Sequence, residues 1–285
     1  MAAFQRWTVG ELRITKVMEL ETRGAATWIL PDATPPVLAG IPWLVPHFAD
    51  AEGRAVMSVH ALVIEAHGRR ILVDTCIGND KQRPIPGWDR RQGPFLADLA
   101  AAGFAAESID TVLCTHLHVD HVGWNTKWEG GRWVPTFPNA RYLIHSREWS
   151  YWSEADDRSF GDVIGDSVRP VLEAGLVDLV ESDHAVADAV RLEPTPGHTP
   201  GHVSVRLRSG RDEAVITGDL MHHPVQCAHP EWGSRADVDA EQAVRTRRRF
   251  LERSSREGAL VLGTHFAGPT AGRVVRDGAA FRFAV

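Results

Sequence analysis

The chain has 285 residues, of which 44% are hydrophobic and 24% charged, and its formal net charge is −6 with neutral histidines. This composition is typical of a globular protein with a large core, and the acidic balance disfavours a nucleic-acid backbone as the main partner. No apolar run is long enough for a membrane span, and no basic stretch precedes an apolar core near the start. We therefore expect a cytoplasmic protein that binds neither nucleic acid nor membrane.

The cysteines indicate which ligands a metal could have. Cys76, Cys114 and Cys227 form no CxxC pair and no even disulfide set, which is typical of a reducing compartment. Any metal in this protein is therefore expected to be held by nitrogen and oxygen ligands.

Strand and helix patterns alternate in the first part of the chain. The predicted elements are a strand at 12–20, a hairpin formed by 58–66 and 69–78, a helix at 95–104 and a short buried strand at 109–116. Residues 21–57 read instead as a loop-rich segment, because prolines recur through them. Such a long irregular stretch is often functional, and we expect it to line a pocket; a surface insertion is the alternative.

The second part of the chain continues the alternation. The predicted elements are a strand and helix at 140–152, a helix and strand at 168–182, two strands around a Pro/Gly turn at 189–210, a strand at 212–220, a helix at 237–258, a strand at 259–266 and one or two closing strands. This order indicates an α/β fold in which helices pack outside sheets. No shift in composition marks a boundary, so residues 1–285 are expected to form one domain.

Four polar motifs follow apolar, strand-like runs. They read THLHVDH at 115–121, PGHTPGH at 196–202, TGD at 217–219 and GTH at 263–265. Because neighbouring strand ends meet at one edge of a sheet, their ligand-type side chains are expected to converge. These are His116, His118, Asp120, His121, His198, Asp219 and His265. Seven such side chains are too many for one tetrahedral ion and suit two. A lone histidine is usually structural, but agreement of spacing, number and placement favours metal ligation.

These motifs resemble those of the metallo-β-lactamase superfamily, whose HxHxDH sequence stands here at 116–121. The resemblance spans about residues 58–266 and implies a four-layer αβ/βα sandwich with the metals at one edge. It implies that His116, His118 and His198 hold one ion, that Asp120, His121 and His265 hold the other, and that Asp219 bridges them. Asp74 matches a family aspartate behind the ligands, where it would orient an imidazole. Capping of a turn is the alternative for Asp74.

Two close ions with a bridging carboxylate favour hydrolysis. Together the ions can lower the pKa of a shared, bridging water enough to supply hydroxide, and one ion can polarise the substrate oxygen. Asp120 could accept a proton and deliver it to the leaving group. No GxSxG sequence competes as a nucleophile motif. A metal-held structural or sensing element is the contrasting hypothesis, but structural zinc sites usually need four ligands.

Several branches of the superfamily share these ligands. Asp219 argues against true β-lactamases, which generally lack the bridging aspartate. A glyoxalase II-like thioesterase would carry a basic glutathione-binding region that is not recognised after His265. An iron-dependent persulfide dioxygenase does not need all seven ligands. The remaining branch resembles acyl-homoserine lactonases and methyl-parathion-type hydrolases, so we expect cleavage of a small ester or lactone. An organophosphate triester hydrolase and a glyoxalase II-like thioesterase are the alternatives, and an iron-dependent persulfide dioxygenase is the alternative outside hydrolysis.

The substrate contacts are predicted less directly. Lactonases often have a tyrosine three residues after the bridging aspartate, and His222 occupies that position here. His222 is a candidate catalytic donor to the substrate, with a structural histidine as the alternative. Trp124, Phe266, Trp43 and Phe48 are candidate pocket walls, and ordinary core packing is the alternative for each. We expect two Zn²⁺ ions, although Mn²⁺, Fe²⁺ or Co²⁺ accept the same ligands. The resemblance implies a homodimer built partly by the loop at 25–50, and a monomer is the alternative.

Overall fold

The computed structural model describes residues 4–155 and 157–285. The chain divides into two compact units. The first unit comprises the chain up to Glu19 together with Val59–His184, and the second comprises Leu20–Ser58 together with Ala185–Val285. The expectation of one domain over residues 1–285 stays a prediction.

The first nine strands of the described chain are Arg6–Val9 (β1), Leu12–Arg23 (β2), Val56–Ala66 (β3), Arg69–Val73 (β4), Thr111–Leu113 (β5), Thr126–Glu129 (β6), Arg132–Pro135 (β7), Arg141–His145 (β8) and Val177–Val180 (β9). Seven of them form the first sheet, in the order β1-β2-β3-β4-β5-β8-β9, and β6 and β7 form a separate ribbon. Strands β4, β5, β8 and β9 run parallel to one another, whereas β3 pairs with β4 antiparallel. The residues that follow β4 and β5 therefore emerge at the same edge of the sheet.

The second sheet also has seven strands, in sequence order from β10 to β16, within the described residues. They are Ala185–Ala187 (β10), Val190–Pro194 (β11), Val203–Ser209 (β12), Asp212–Ile216 (β13), Leu260–Leu262 (β14), Ala271–Asp277 (β15) and Ala280–Ala284 (β16). Strands β13 and β14 pair in parallel, and β11 runs in the same direction because two antiparallel pairings separate it from β13. The carboxyl ends of these three strands therefore share one edge.

The helices are short except for the last. They are Ala26–Ile29 (α1), Pro35–Ala39 (α2), Phe95–Ala101 (α3), Ser146–Glu154 (α4), Arg169–Glu173 (α5), Val225–Ala228 (α6) and Ala240–Glu257 (α7). Helix α7 begins where the Asp239 side chain accepts a hydrogen bond from the Gln242 N–H, and it ends at Gly258, whose φ of 67° is left-handed. In the described chain, no helix combines the length and apolar character needed to cross a bilayer.

Most of the predicted elements are confirmed, and the differences lie at their ends. The strand at 12–20, the hairpin around Gly68, the strand and helix at 140–152 and the helix at 237–258 all form. Strand β4 ends at Val73 rather than at residue 78, because Asp74 and Cys76 take left-handed φ values of 59° and 53°. The ribbon of β6 and β7 and the edge strands β1 and β10 were not predicted.

The segment 21–57 differs from the predicted loop. It contains α1, α2 and the 3₁₀ turn Pro42–Leu44. Pro35 and Pro42 stand at the start of a helical turn, where proline needs no amide partner and its φ suits the helix. Leu30, Leu38 and Leu44 are fully buried in the core of the second unit. The segment therefore anchors that core; its role in lining a pocket stays a prediction.

Candidate metal centre

The HxHxDH residues lie immediately after β5, in the first unit. The ring centroid of His116 lies 4.7 Å from that of His118 and 4.1 Å from that of His121. Nε2 of His121 is 3.6 Å from Oδ1 of Asp120. His116 and His121 are completely buried, so these polar rings face one another rather than solvent. The chain after a three-residue buried strand thus gathers three imidazoles and a carboxylate.

Asp74 contacts this cluster from behind. Its Oδ2 is 2.9 Å from Nδ1 of His121, and its carboxylate accepts hydrogen bonds from the backbone N–H and the hydroxyl of Thr115. The Thr115 hydroxyl in turn lies 3.1 Å from Nδ1 of His116. Occupying Nδ1 leaves Nε2 of each ring for a metal, which is how carboxylates orient ligand histidines. These contacts are the ones that the predicted orienting role of Asp74 requires.

The second unit gathers its own cluster around Asp219. Nε2 of His198 lies 3.5 Å and Nε2 of His222 3.3 Å from Oδ2 of Asp219, while Nε2 of His265 lies 3.1 Å from Oδ1. These four residues are all buried. Residues 198, 219 and 265 follow β11, β13 and β14, so the shared edge of the sheet brings together positions that are far apart in the chain.

Two of these imidazoles are oriented by hydrogen bonds at Nδ1. His198 is bound by Oδ1 of Asp237 at 2.8 Å, and His265 lies 3.0 Å from the carbonyl oxygen of Ser58. Burial lowers the pKa of His198 to about 4, which keeps its ring neutral. Neutral imidazole is the form that binds metals.

His202 positions the carboxylate itself. Its Nε2 accepts the backbone N–H of Asp219 at 2.8 Å, and its Nδ1 lies 2.9 Å from the hydroxyl of Thr195. Sequence reasoning missed both His202 and Asp237. His202 stands in the quoted PGHTPGH motif, but Asp237 lies outside every motif, and only its contact with His198 reveals it.

The spacing of the donor atoms fits metal ligation. Two donors bound about 2.1 Å from one tetrahedral ion lie about 3.4 Å apart. In the second unit the donors around Asp219 are separated by 3.1 to 3.5 Å. Hydrogen bonds between imidazole and carboxylate are commonly shorter, about 2.7–2.9 Å. The histidine and aspartate cluster of the second unit therefore suits a bound metal ion.

The predicted pocket-wall residues have packing partners within their own units. The Trp124 ring stacks on Phe95 at 5.8 Å, and its indole N–H donates to Glu19. Phe48 and Phe266 are fully buried, 6.2 Å apart, and both belong to the core of the second unit; Trp43 packs against that core. Core packing accounts for these positions, and contact with substrate stays a prediction for all of them.

A pocket that the sequence did not predict lies beside His118. Its lining is mostly apolar and consists of Leu117, His118, Val119, Trp152, Ala155, Asp157, Phe160, Val163 and Ile164. The ring centroid of Trp152 lies 5.2 Å from that of His118. The indole N–H of Trp152 donates to Glu148, which also accepts the backbone N–H of Leu117. Glu148 thus links Trp152, in the wall of the pocket, to the HxHxDH motif through hydrogen bonds.

Comparison with known proteins identifies the family. The sequence model of the metallo-β-lactamase superfamily matches residues 54–270 of this chain. The chain belongs to the metallo-β-lactamase superfamily. Solved structures of similar fold include AidC, a dizinc quorum-quenching lactonase with bound product (TM-score 0.77, 23% identity, 98% of this chain and 96% of that one), and the hydrolase AbOPH (TM-score 0.79, 22% identity, 100% and 97%). The predicted fold class is therefore confirmed.

Curated relatives are similar over part of their length. The N-acyl homoserine lactonase AttM of Rhizobium radiobacter is 29% identical over 176 residues, which are 59% of this chain and 63% of that protein. The probable metallo-hydrolase YybB of Bacillus subtilis is 28% identical over 159 residues, 52% of this chain and 66% of that protein. The N-acyl homoserine lactonase of a Bacillus species is 25% identical and is covered over 40% of its length. The chain thus spans between two fifths and two thirds of these relatives.

Proposed function

We propose that this protein is a metal-dependent hydrolase that cleaves a small ester or lactone at a binuclear centre. Its proposed ligands are the seven predicted side chains, with Asp219 shared by the two ions. The observation that carries the proposal is the ring of imidazole nitrogens 3.1 to 3.5 Å from the Asp219 carboxylate, a spacing that suits a bound cation. Zinc is the proposed metal, by analogy with the dizinc lactonase of similar fold.

When bound, two such ions would supply hydroxide near neutral pH and would polarise the substrate oxygen. The protein's own groups orient the ligands: Asp74 and Asp237 hold imidazoles at Nδ1, and His202 holds the backbone of Asp219. We assign to Asp120 the transfer of a proton to the leaving group, because its carboxylate is partly exposed beside His121 while the neighbouring rings are buried.

The apolar pocket beside His118 supports an ester or lactone with a hydrocarbon chain. Trp152, Phe160 and Ile164 present apolar surface there, and the Asp157 carboxylate adds negative charge. A glutathione thioester carries carboxylates, which this pocket would repel. Relatives named as N-acyl homoserine lactonases support the same substrate class.

The test is a panel of hydrolysis rates for the metal-loaded protein. The substrates are an aryl ester, short- and long-chain lactones, a phosphotriester, a glutathione thioester and a β-lactam, each measured with and without EDTA. We expect the lactones or the aryl ester to be preferred, with two metals per chain by elemental analysis. A preference for the phosphotriester or the thioester would overturn the assigned substrate class, and hydrolysis that survives EDTA would overturn the mechanism.

A further inference from the structure

His222 lies three residues after Asp219 and is not among the seven predicted ligands. Its side chain is buried, with 2% of the residue exposed. Its backbone N–H donates to Oε1 of Gln226 at 2.7 Å, and the Gln226 amide donates to the carbonyl oxygen of Trp232. The backbone is therefore fixed so that the ring enters the Asp219 cluster.

The ring stands among the predicted ligands of the second unit. Its centroid is 4.9 Å from that of His198, and it stacks on His265 at 5.9 Å with only 5° between the planes. Possible ligand atoms of His198, Asp219 and His222 all lie within 4.8 Å of one another. By position, His222 is equivalent to the histidines that the motif predicts as ligands.

His222 lacks the hydrogen bonds expected of a structural histidine. Among the residues that the structure describes, neither of its ring nitrogens has a hydrogen-bond partner, although both are buried. The adjacent His223 provides the contrast, because its Nε2 lies 2.7 Å from the carbonyl oxygen of Phe48 and its Nδ1 accepts the N–H of Val225. A buried polar atom without a partner is costly, so the His222 ring requires one from outside the described chain.

We propose that Nε2 of His222 is a further metal ligand. It would bind the same ion as His198, which is one of the two ions that Asp219 bridges in the proposed centre. Its 3.3 Å separation from Oδ2 of Asp219 lies between the 3.5 Å of His198 and the 3.1 Å of His265. This is the distance expected of two donors on one ion. The inference rests on the proposed function, since it adds a ligand to the same metal centre.

The other ring nitrogen indicates how tightly this ligand is held. His121, His198 and His265 each have a carboxylate or carbonyl oxygen within 3.0 Å of Nδ1. Such partners fix the ring and raise its basicity, and the described residues offer none to Nδ1 of His222. The His222 ring is therefore held less firmly than the rings of His121, His198 and His265.

Cobalt binding to the substrate-free protein tests this inference. Metal-free wild type, His222→Ala and His222→Phe would be titrated with Co²⁺ against a competing chelator while the visible ligand-field bands are recorded. Phenylalanine keeps the stacking on His265 but cannot bind a metal. His229→Ala is the matched control, because His229 stacks on Trp232 in the same unit and belongs to none of the possible metal-binding groups found among the described residues.

We expect both His222 variants to bind one of the two Co²⁺ ions at least about tenfold more weakly, with altered visible bands, and the control to match wild type. Unchanged affinity and bands in the variants, with slower hydrolysis alone, would overturn the inference and leave His222 as a donor to substrate. If circular dichroism shows that His222→Ala does not fold, the Co²⁺ affinity and visible bands of His222→Phe decide whether His222 is a ligand. Wild type that binds fewer than two ions would instead refute the proposed function.

Discussion

Two buried aspartates show how a charged cluster within the fold differs from one built for a ligand. In the first unit, Asp166 accepts two hydrogen bonds from Arg83, at 2.7 and 2.8 Å, and the Arg83 and Lys81 side chains are completely buried beside it. In the second unit, Asp219 is surrounded by imidazole nitrogens at 3.1 to 3.5 Å. The first carboxylate is neutralised by the protein's own cations. The second lies among imidazole donors whose spacing suits a bound cation.

The largest effect should come from removing the cation at the Asp219 cluster. We expect exhaustive chelation to slow ester or lactone hydrolysis by at least about 10⁴-fold, because the ions supply both the nucleophile and the polarising charge. Initial rates before and after adding back Zn²⁺ measure this. The thermal midpoint should also fall, since a ligand held at 100 times its Kd stabilises by about 2.7 kcal/mol. If the chelated protein kept its activity, the Asp219 cluster would not depend on a bound cation and would not differ from the Asp166 cluster in that respect.

The next largest effect concerns the proton carrier. We expect Asp120→Asn to lower kcat/KM by about 10²–10⁴-fold in samples matched for metal content, because the amide cannot accept and return a proton. Asp188→Asn is the control, since Asp188 is exposed and lies outside both clusters. If metal-loaded Asp120→Asn retained the wild-type rate, Asp120 would be a ligand only.

At the Asp166 cluster the expected effect is on stability. Asp166→Asn should lower the free energy of unfolding by about 3–5 kcal/mol, because it leaves the buried Arg83 guanidinium without its counter-charge. Metal stoichiometry should stay at the wild-type value. Denaturant unfolding measures the first quantity and elemental analysis the second.

Asp178→Asn is the matched control for that experiment. Asp178 pairs with Arg141 at the surface, where 46% of the Asp178 side chain is exposed, and such pairs contribute about 0–1 kcal/mol. An equal loss in both variants would mean that burial does not distinguish the two ion pairs.

The smallest effect is a pH dependence that comes from Lys81. The pKa of this amine is lowered from 10.5 to about 7, mainly by burial and also by repulsion from the Arg83 charge. The negative charges of Asp166 and Asp80 act in the opposite direction and raise the pKa. Nζ also donates to the Thr126 hydroxyl at 2.8 Å and to the Asp166 carbonyl oxygen at 3.1 Å, and it lies 3.8 Å from the centre of the Trp133 ring. Between pH 7 and 10.5 the unfolded chain binds a proton at Lys81 that the folded chain does not, so raising the pH in this range favours folding.

Wild type should therefore gain on the order of 1–3 kcal/mol of stability relative to Lys81→Met between pH 7 and pH 9. Urea unfolding of both proteins at several pH values measures the difference, in which the contributions of other titrating groups cancel. Parallel pH profiles for the two proteins would show that Lys81 keeps its charge when it is buried.

Much of the first cluster could be predicted from sequence, because its residues are contiguous. His116, His118, Asp120 and His121 follow one apolar run, and their rings lie within a few ångströms of each other because the chain turns there. The elements with strong local patterns, such as β3, β4 and α7, were predicted as well. The family follows from the same motifs and is confirmed by the match to residues 54–270.

The sequence determined the residue types, the motifs and the strands that precede them, since each depends on neighbours a few positions away. Only the tertiary structure decided which partners these residues meet. Asp237 binds His198 across 39 positions, and Ser58 binds His265 across 207, and no local pattern encodes such contacts. The same applies to His222 and His223, which are adjacent and chemically identical. The fold surrounds one with hydrogen-bond partners and turns the other towards the Asp219 carboxylate.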